Sequence, residues 1–194
     1  MEQQITQLRQ TCYNELRKIS QLRTILSKEA AIKLVCSFVT SRLDYCNSLF
    51  SNLPDEKINR LQQIQNHAAR LVTKTRKREH VTPILKELHW LPVKHRIDYK
   101  IATITYLCLK DPDYPKYLTD LINEYVPFRS LRSTYKHQLV LPRTKLKTYG
   151  DRAFTYYSPY LWNNLGLFKL LESSSVDSFK RNIKTHLFNR AFDL

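Results

Sequence analysis

Residues 54–74 read PDEKINRLQQIQNHAARLVTK. Ile58, Leu61, Ala68, Ala69 and Val72 recur every three or four residues, the period of a helix that buries one face. Pro54 suits the first turn, where a helix has no N–H bond to lose. The spacing predicts a helix to about Thr73. Its opposite side carries Asn59, Gln63, Asn66, Arg70 and Lys74, the first four within about 60° of arc at ~100° per residue. The basic run Lys74-Thr75-Arg76-Lys77-Arg78 is expected to end it.

The same period extends outward in both directions. Residues 3–26 are predicted helical, with Ile5, Leu8, Cys12, Leu16, Ile19 and Leu22 on one stripe. Ser27 has the short hydroxyl that caps a helix start. A second helix is expected from there to about residue 50. One of its stripes is Ile32, Val35, Cys36, Val39, Leu43, Cys46 and Phe50; a second is Leu34, Phe38, Tyr45 and Leu49. A helix apolar on two sides is expected to be central to its domain. Thr82-Pro83 starts a short helix. Pro92 starts a longer one to about Leu109, burying Val93, Ile97, Ile101, Ile104 and Leu107. Beyond it, Asp111-Pro112, Tyr114-Pro115 and Val126-Pro127 break the pattern. A short helix near 116–124 and short strands at Gln138–Pro142 and around Ser130–Tyr135 are expected there. Residues 151–164 turn helical again, with Pro159 as an interruption. Ser175 caps a last helix whose stripe is Val176, Phe179, Ile183 and Leu187. The expected fold is mainly α. It comprises a helical bundle over 1–110 and a smaller, basic and aromatic α-rich region over 111–194 with one or two short strands.

Composition narrows the function. The 194 residues hold 32 Lys and Arg against 17 Asp and Glu, a net charge of +15. A field of that size attracts a polyanion. The two glycines, Gly150 and Gly166, are too few for a glycine-rich phosphate loop or for the tight turns of an all-β fold. No run of about 20 apolar residues offers a membrane span, and Met1–Gln10 lacks the apolar core of a signal peptide. The cysteines Cys12, Cys36, Cys46 and Cys108 form no CxxC pair. Cys36 and Cys46, about 15 Å apart along one helix, cannot bond to each other. Buried thiols in a reducing, intracellular setting, nuclear or cytoplasmic, are expected.

Three surfaces are candidates for chemistry. Amides on the third helix (Asn59, Gln63, Asn66) donate and accept at once, which suits base edges and sugars in a minor groove. Arg70, Lys74, Arg76, Lys77 and Arg78 suit phosphates. Farther on, Arg129, Arg132, Arg143, Lys145 and Lys147 interleave with aromatics, of which Tyr135 and Tyr149 are stacking candidates; single-stranded nucleic acid needs both kinds of group. Each surface also has a plainer reading, as a solvated helix face, an exposed loop or core aromatics. His89-Trp90, between two short helices, reads as a packing corner. No histidine and cysteine spacing fits zinc, and Asp44 lacks the acidic neighbour that a two-metal site requires.

The string Ser41-Arg42-Leu43-Asp44-Tyr45-Cys46-Asn47-Ser48-Leu49-Phe50-Ser51-Asn52-Leu53-Pro54 resembles a stretch of non-LTR retrotransposon polyproteins of the CR1, L2 and Jockey kind. The likeness continues through Ile58–Gln62, Gln65–Val72, Leu88–Val93, Arg129–Ser133, Pro142–Thr144, Lys147–Phe154, Leu161–Asn163 and Phe179-Lys180, in order along essentially the whole chain. In that family these segments follow the polymerase palm and form the thumb and C-terminal region of the reverse transcriptase.

The resemblance implies RNA-directed DNA synthesis as the parent activity. It implies RNA and RNA/DNA or DNA duplex as partners, with the missing palm as a further one, and no membrane. The family's catalytic carboxylates lie upstream in a Tyr/Phe-x-Asp-Asp strand absent here, so no catalytic residue carries over. Magnesium would belong to that palm, and no cofactor is expected on this chain. A family thumb lays a helix along the primer–template minor groove, which favours the binding reading of the third helix. The expectation is a fragment that binds nucleic acid without polymerase activity of its own, a short frame opening at an internal Met1. The alternative is a domesticated helical protein-interaction module whose affinity for nucleic acid is incidental.

Overall fold

The computed structural model describes residues 1–127 and 137–193. It is mainly α, as the periodicity predicts. The helices are α1 (Glu2–Leu22), α2 (Lys28–Val35), α3 (Ser41–Asp44), α4 (Asp55–Thr73), α5 (Thr82–Glu87), α6 (Val93–Lys110), α7 (Lys116–Thr119), α8 (Lys147–Gly150), α9 (Phe154–Leu165) and α10 (Val176–Phe192). They gather into two compact units. The first holds Met1–Asn47, Leu53–Arg96 and a terminal segment from Ala191; the second holds Ser48–Asn52 and Ile97–Arg190.

In the first unit α1 and α2 pack on α4. The buried stripes are Ile5, Cys12, Leu16 and Ile19 of α1 and Ile58, Leu61, Ile64, Ala68, Ala69 and Val72 of α4. Ser27 caps α2 as expected, its hydroxyl accepting from the Ala30 N–H at 3.1 Å. The predicted second helix is not regular to residue 50. A π-helical turn, Cys36–Thr40, joins α2 to α3. At Tyr45 the chain extends, Cys46 takes φ 51°, and a 3₁₀ turn comes next at Asn47–Phe50.

A π turn carries one extra residue and so rotates the helix beyond it. Val35, Val39 and Leu43 stay inside, while Cys36 faces solvent and Cys46 lies past the helix end. The expectation that these two thiols are buried is therefore wrong; Cys12 is the buried one. The second apolar face is also not central. Phe38 is 45% and Tyr45 79% exposed.

α5 and the corner after it close over α4. Ile84, Leu85 and Ala69 form a cluster covered by Val81, Leu88, Trp90 and Phe192. His89 takes a left-handed φ of 53°, which turns the chain so that Trp90 reaches that cluster. Asp44 receives two hydrogen bonds from the Arg96 guanidinium, one of 2.8 Å from Nε.

The second unit is built on Trp162, Phe179, Ile183 and Leu187, all fully buried. Tyr106 stacks on Phe179 at 4.1 Å between centroids. Ser175 caps α10 through the Ser178 N–H at 3.1 Å. Pro159 sits inside α9 and does not interrupt it. Its ring removes a single hydrogen bond in the second turn, and the buried flank formed by Tyr157, Leu161 and Trp162 holds the rest. The strand expected at Gln138–Pro142 shrinks to one antiparallel bridge, Glu124 to Leu139. Asn163 satisfies Leu139 in place of a neighbouring strand, donating to its carbonyl at 2.8 Å and accepting from its N–H at 2.9 Å. The strand expected around Ser130–Tyr135 lies outside the described residues.

Candidate nucleic-acid interface

The polar side of α4 divides into two strips with different work. On one, side-chain amides hold the chain that enters α6. The Val93 N–H donates to Gln62 Oε1 at 2.8 Å. Gln62 Nε2 donates to Gln65 Oε1 at 2.9 Å and to Asn66 Oδ1 at 2.8 Å. Gln65, 3% exposed, donates to the Leu91 carbonyl at 2.8 Å. An unsatisfied buried acceptor costs on the order of 1–3 kcal/mol, so this relay fixes the link between helices. Asn66 belongs to it as well as to the surface predicted to bind.

The other strip opens on a groove of about 710 Å³ between α1 and α4. Gln63, Asn66, Arg70, Lys74 and Lys77 line it together with Tyr13, Ser20, Arg23, His67, Leu71 and Thr75. Five of the predicted residues thus converge on one hollow. Asn59, at the start of α4, is exposed but is not among the lining residues; Arg76 and Arg78 are exposed in the turn beyond.

The end of α4 shapes the groove. Lys74 adopts φ 58° and ψ 26°, the left-handed conformation usually given to glycine at a helix end. It redirects the basic run back across the helix, and the Thr75 N–H donates to the Arg70 carbonyl at 3.1 Å. Arg23, just past α1, fills the other side of that end. Its Nε donates to the Leu71 carbonyl at 2.9 Å, Nη2 to that of Val72 at 2.7 Å and Nη1 to that of Leu26 at 2.7 Å. The carbonyls of Leu71 and Val72 are ones that a helix C-terminus leaves unpaired, and a cation there also suits the helix dipole. Arg70 Nη2 donates to the Glu79 carbonyl at 3.1 Å, which sets the guanidinium toward the turn.

The wall is aromatic. Tyr13 and His67 meet edge to face at 5.7 Å and 88°, and Arg9 lies 6.0 Å from the Tyr13 centroid. Burial, then the Arg70 and Lys77 charges, hold His67 below its usual imidazole pKa. The hollow is therefore positive even with His67 neutral. Comparison with models of known families, with characterised proteins and with solved structures found no match.

The remaining predicted residues fall in the second unit or outside the described residues. Arg143 and Lys145 are exposed, and Tyr149 is 76% exposed. Arg129, Arg132 and Tyr135 lie outside the described residues, as does the side chain of Lys147. Among the described residues no group of three or more His, Cys, Asp or Glu is placed to hold a metal ion. No described helix is long and apolar enough to cross a membrane.

Sequence reasoning missed Tyr13, Ser20, Arg23 and His67. The first two are seven residues apart beside the α1 stripe, the spacing of one helix face, so a polar strip there was detectable. Arg23 was not: its role exists only once α4 ends beside it.

Proposed function

We propose that this chain is the thumb and C-terminal region of a non-LTR retrotransposon reverse transcriptase. It binds RNA and RNA/DNA or DNA duplex and catalyses no polymerisation alone. The observation that carries the reading is the convergence of Gln63, Asn66, Arg70, Lys74 and Lys77 on one positive groove, with Arg76 and Arg78 exposed beside it. The cations take phosphates, which sets affinity and its salt dependence; the amides, being neutral, add contacts without releasing counterions. Polymerisation belongs to the Asp-Asp carboxylates and magnesium of the palm, a motif this sequence lacks.

The test is fluorescence anisotropy across a salt series. If four to six phosphates of a single strand are neutralised, log K falls against log salt with a slope of about −3 to −4. Replacing Arg76, Lys77 and Arg78 by alanine should flatten that slope by up to about 2 on every sequence. Gln63→Ala should weaken duplex binding at unchanged slope. Asn66 is left intact in that variant because it anchors Gln62. A wild-type slope near zero refutes the reading. It would favour the second one, a protein-interaction module, for which the exposed Phe38 and Tyr45 of the first unit speak. Equal slopes for wild type and the triple variant would move the phosphate contacts to the second unit.

A further inference from the structure

We infer that the groove between α1 and α4 seats one unpaired nucleotide of a single strand, its phosphate against Arg70, Lys74 and Lys77 and its base on the ring of His67. This deepens the proposed function and rests on it. A duplex, whose own grooves are about 6 and 12 Å wide, can meet the rim of the hollow with its backbone. Only a group that projects from the nucleic acid can enter it, and an unpaired base with its phosphate does so. The volume of about 710 Å³ lies within the roughly 300–1,000 Å³ of sites that enclose a small ligand.

The lining fits that occupant group by group. His67 is exposed on the groove and meets Tyr13 edge to face, with Arg9 lying 6.0 Å from the Tyr13 centroid. An aromatic ring so placed is a stacking platform that tolerates any base. Arg70 is oriented by Glu79, and Lys74 and Lys77 stand on the turn that the left-handed Lys74 creates. Arg23 is committed to three backbone carbonyls, so it lends the floor its charge and no free fork. Gln63 and Ser20 supply polar groups at the rim.

The site also has a signature that a plain basic patch lacks. The ionisable groups facing His67 are Arg9 and Tyr13 from α1, Arg70 from α4, Lys74 and Lys77 from the turn, and Arg23 from the floor. The cations among them oppose its protonation. A bound phosphate offsets them, so the complex takes up a proton that the free protein does not hold. Single-strand affinity therefore rises as pH falls through the imidazole range.

The experiment uses the full chain, a labelled oligouridylate, a blunt duplex of equal length and unlabelled uridine monophosphate as competitor. Expected results are a loss on the order of tenfold in single-strand affinity for His67→Ala, with duplex affinity and salt slope unchanged. His67→Phe should restore the affinity and abolish the pH dependence. Competition by the monophosphate at millimolar concentration supports a one-nucleotide site. Single-strand binding that keeps its salt slope, affinity and pH dependence in both variants overturns the inference and leaves the nucleic-acid reading standing. Absence of salt-dependent binding by the wild type overturns both. If His67→Ala loses helicity, His67→Phe decides alone: retained pH dependence overturns the inference, and its loss at full affinity supports it.

Discussion

Arg23→Met should destabilise the first unit by about 3 kcal/mol. The side chain makes three hydrogen bonds of 2.7–2.9 Å to the carbonyls of Leu26, Leu71 and Val72. Bonds that involve a charged group contribute about 1.5–3 kcal/mol each. The lower end applies here, because the residue is half-buried and water can replace part of what is lost. Against that stands about 2 kcal/mol for immobilising an arginine, while its charge at the C-terminus of α4 adds roughly 0.3–1 kcal/mol. Methionine keeps the apolar stem and removes the fork, so the loss is one of bonding. At a urea m-value of about 1–3 kcal/mol/M, the midpoint should fall by about 1–3 M, read by far-UV circular dichroism. Arg23→Lys should fall between the two, since one ammonium cannot reach three acceptors in a plane. Arg17→Met, on the exposed side of α1, should stay within about 0.5 kcal/mol. A midpoint shift of less than about 0.3 M for Arg23→Met would refute the capping role.

Other substitutions probe other contacts. Lys74→Gly should raise stability by about 0.5–1 kcal/mol, because glycine adopts a left-handed φ without strain. The same change should weaken nucleic-acid binding, so gains in both would argue against a functional lysine there. Gly150→Ala should cost about 1–3 kcal/mol, since a Cβ at that position would stand 2.7 Å from Thr144 Cβ; a neutral effect in thermal melts would reject the contact. Native protein at pH 8 should show two fast thiols with a disulfide reagent, the exposed Cys36 and Cys46. Cys12 and Cys108, whose thiols burial pushes up to about 11, should react slowly; mass mapping of the labelled cysteines decides. His67 and His186, each with part of the ring exposed, are both held below the usual imidazole value of 6.5, mainly by partial desolvation against their neighbours. The unfolded chain therefore takes up protons first, so their contribution is full above about pH 6.5 and is lost as pH falls through the depressed folded values. Urea titrations at several pH values should show this loss, reduced in His67→Gln; stability that rises on acidification would contradict it.

Helix starts were legible because a cap is a local event: Ser27 and Ser175 act within three residues of themselves. The stripes of α4 and α10, and that of α1 as far as Ile19, were legible because burial imposes the period directly; Leu22, placed on the α1 stripe by its spacing, is 47% exposed. The features that escaped depend on partners distant in sequence or on slips without compositional trace. Nothing in Cys36-Ser37-Phe38-Val39-Thr40 marks a π turn, so the predicted stripe runs straight through it and places two thiols inside. Pro159 reads as a break in sequence because its buried flank shows only in the fold. On α4, spacing places Gln63, Arg70 and Lys74 on one face, and they do share a groove. It cannot separate Asn66, which serves the Gln62 relay as well, because that depends on Leu91 and Val93 arriving from beyond α5. Nor can it exclude Asn59, which shares their angle but lies about 10 Å below Asn66 along the axis.

The π turn also determines which edits the first unit can absorb. Cys36, Ser37 and Phe38 are exposed, so their identities are nearly free. The number of residues between Val35 and Leu43 can also change, by one. The π turn already holds one residue more than an α turn, so deleting one would restore α-helical pairing and leave Leu43 within about 20° of the Val35 face. Leu43 would stay in the core and Asp44 beside Arg96. Among related chains, this segment should therefore drift in spelling, and a one-residue gap in an alignment should fall within it.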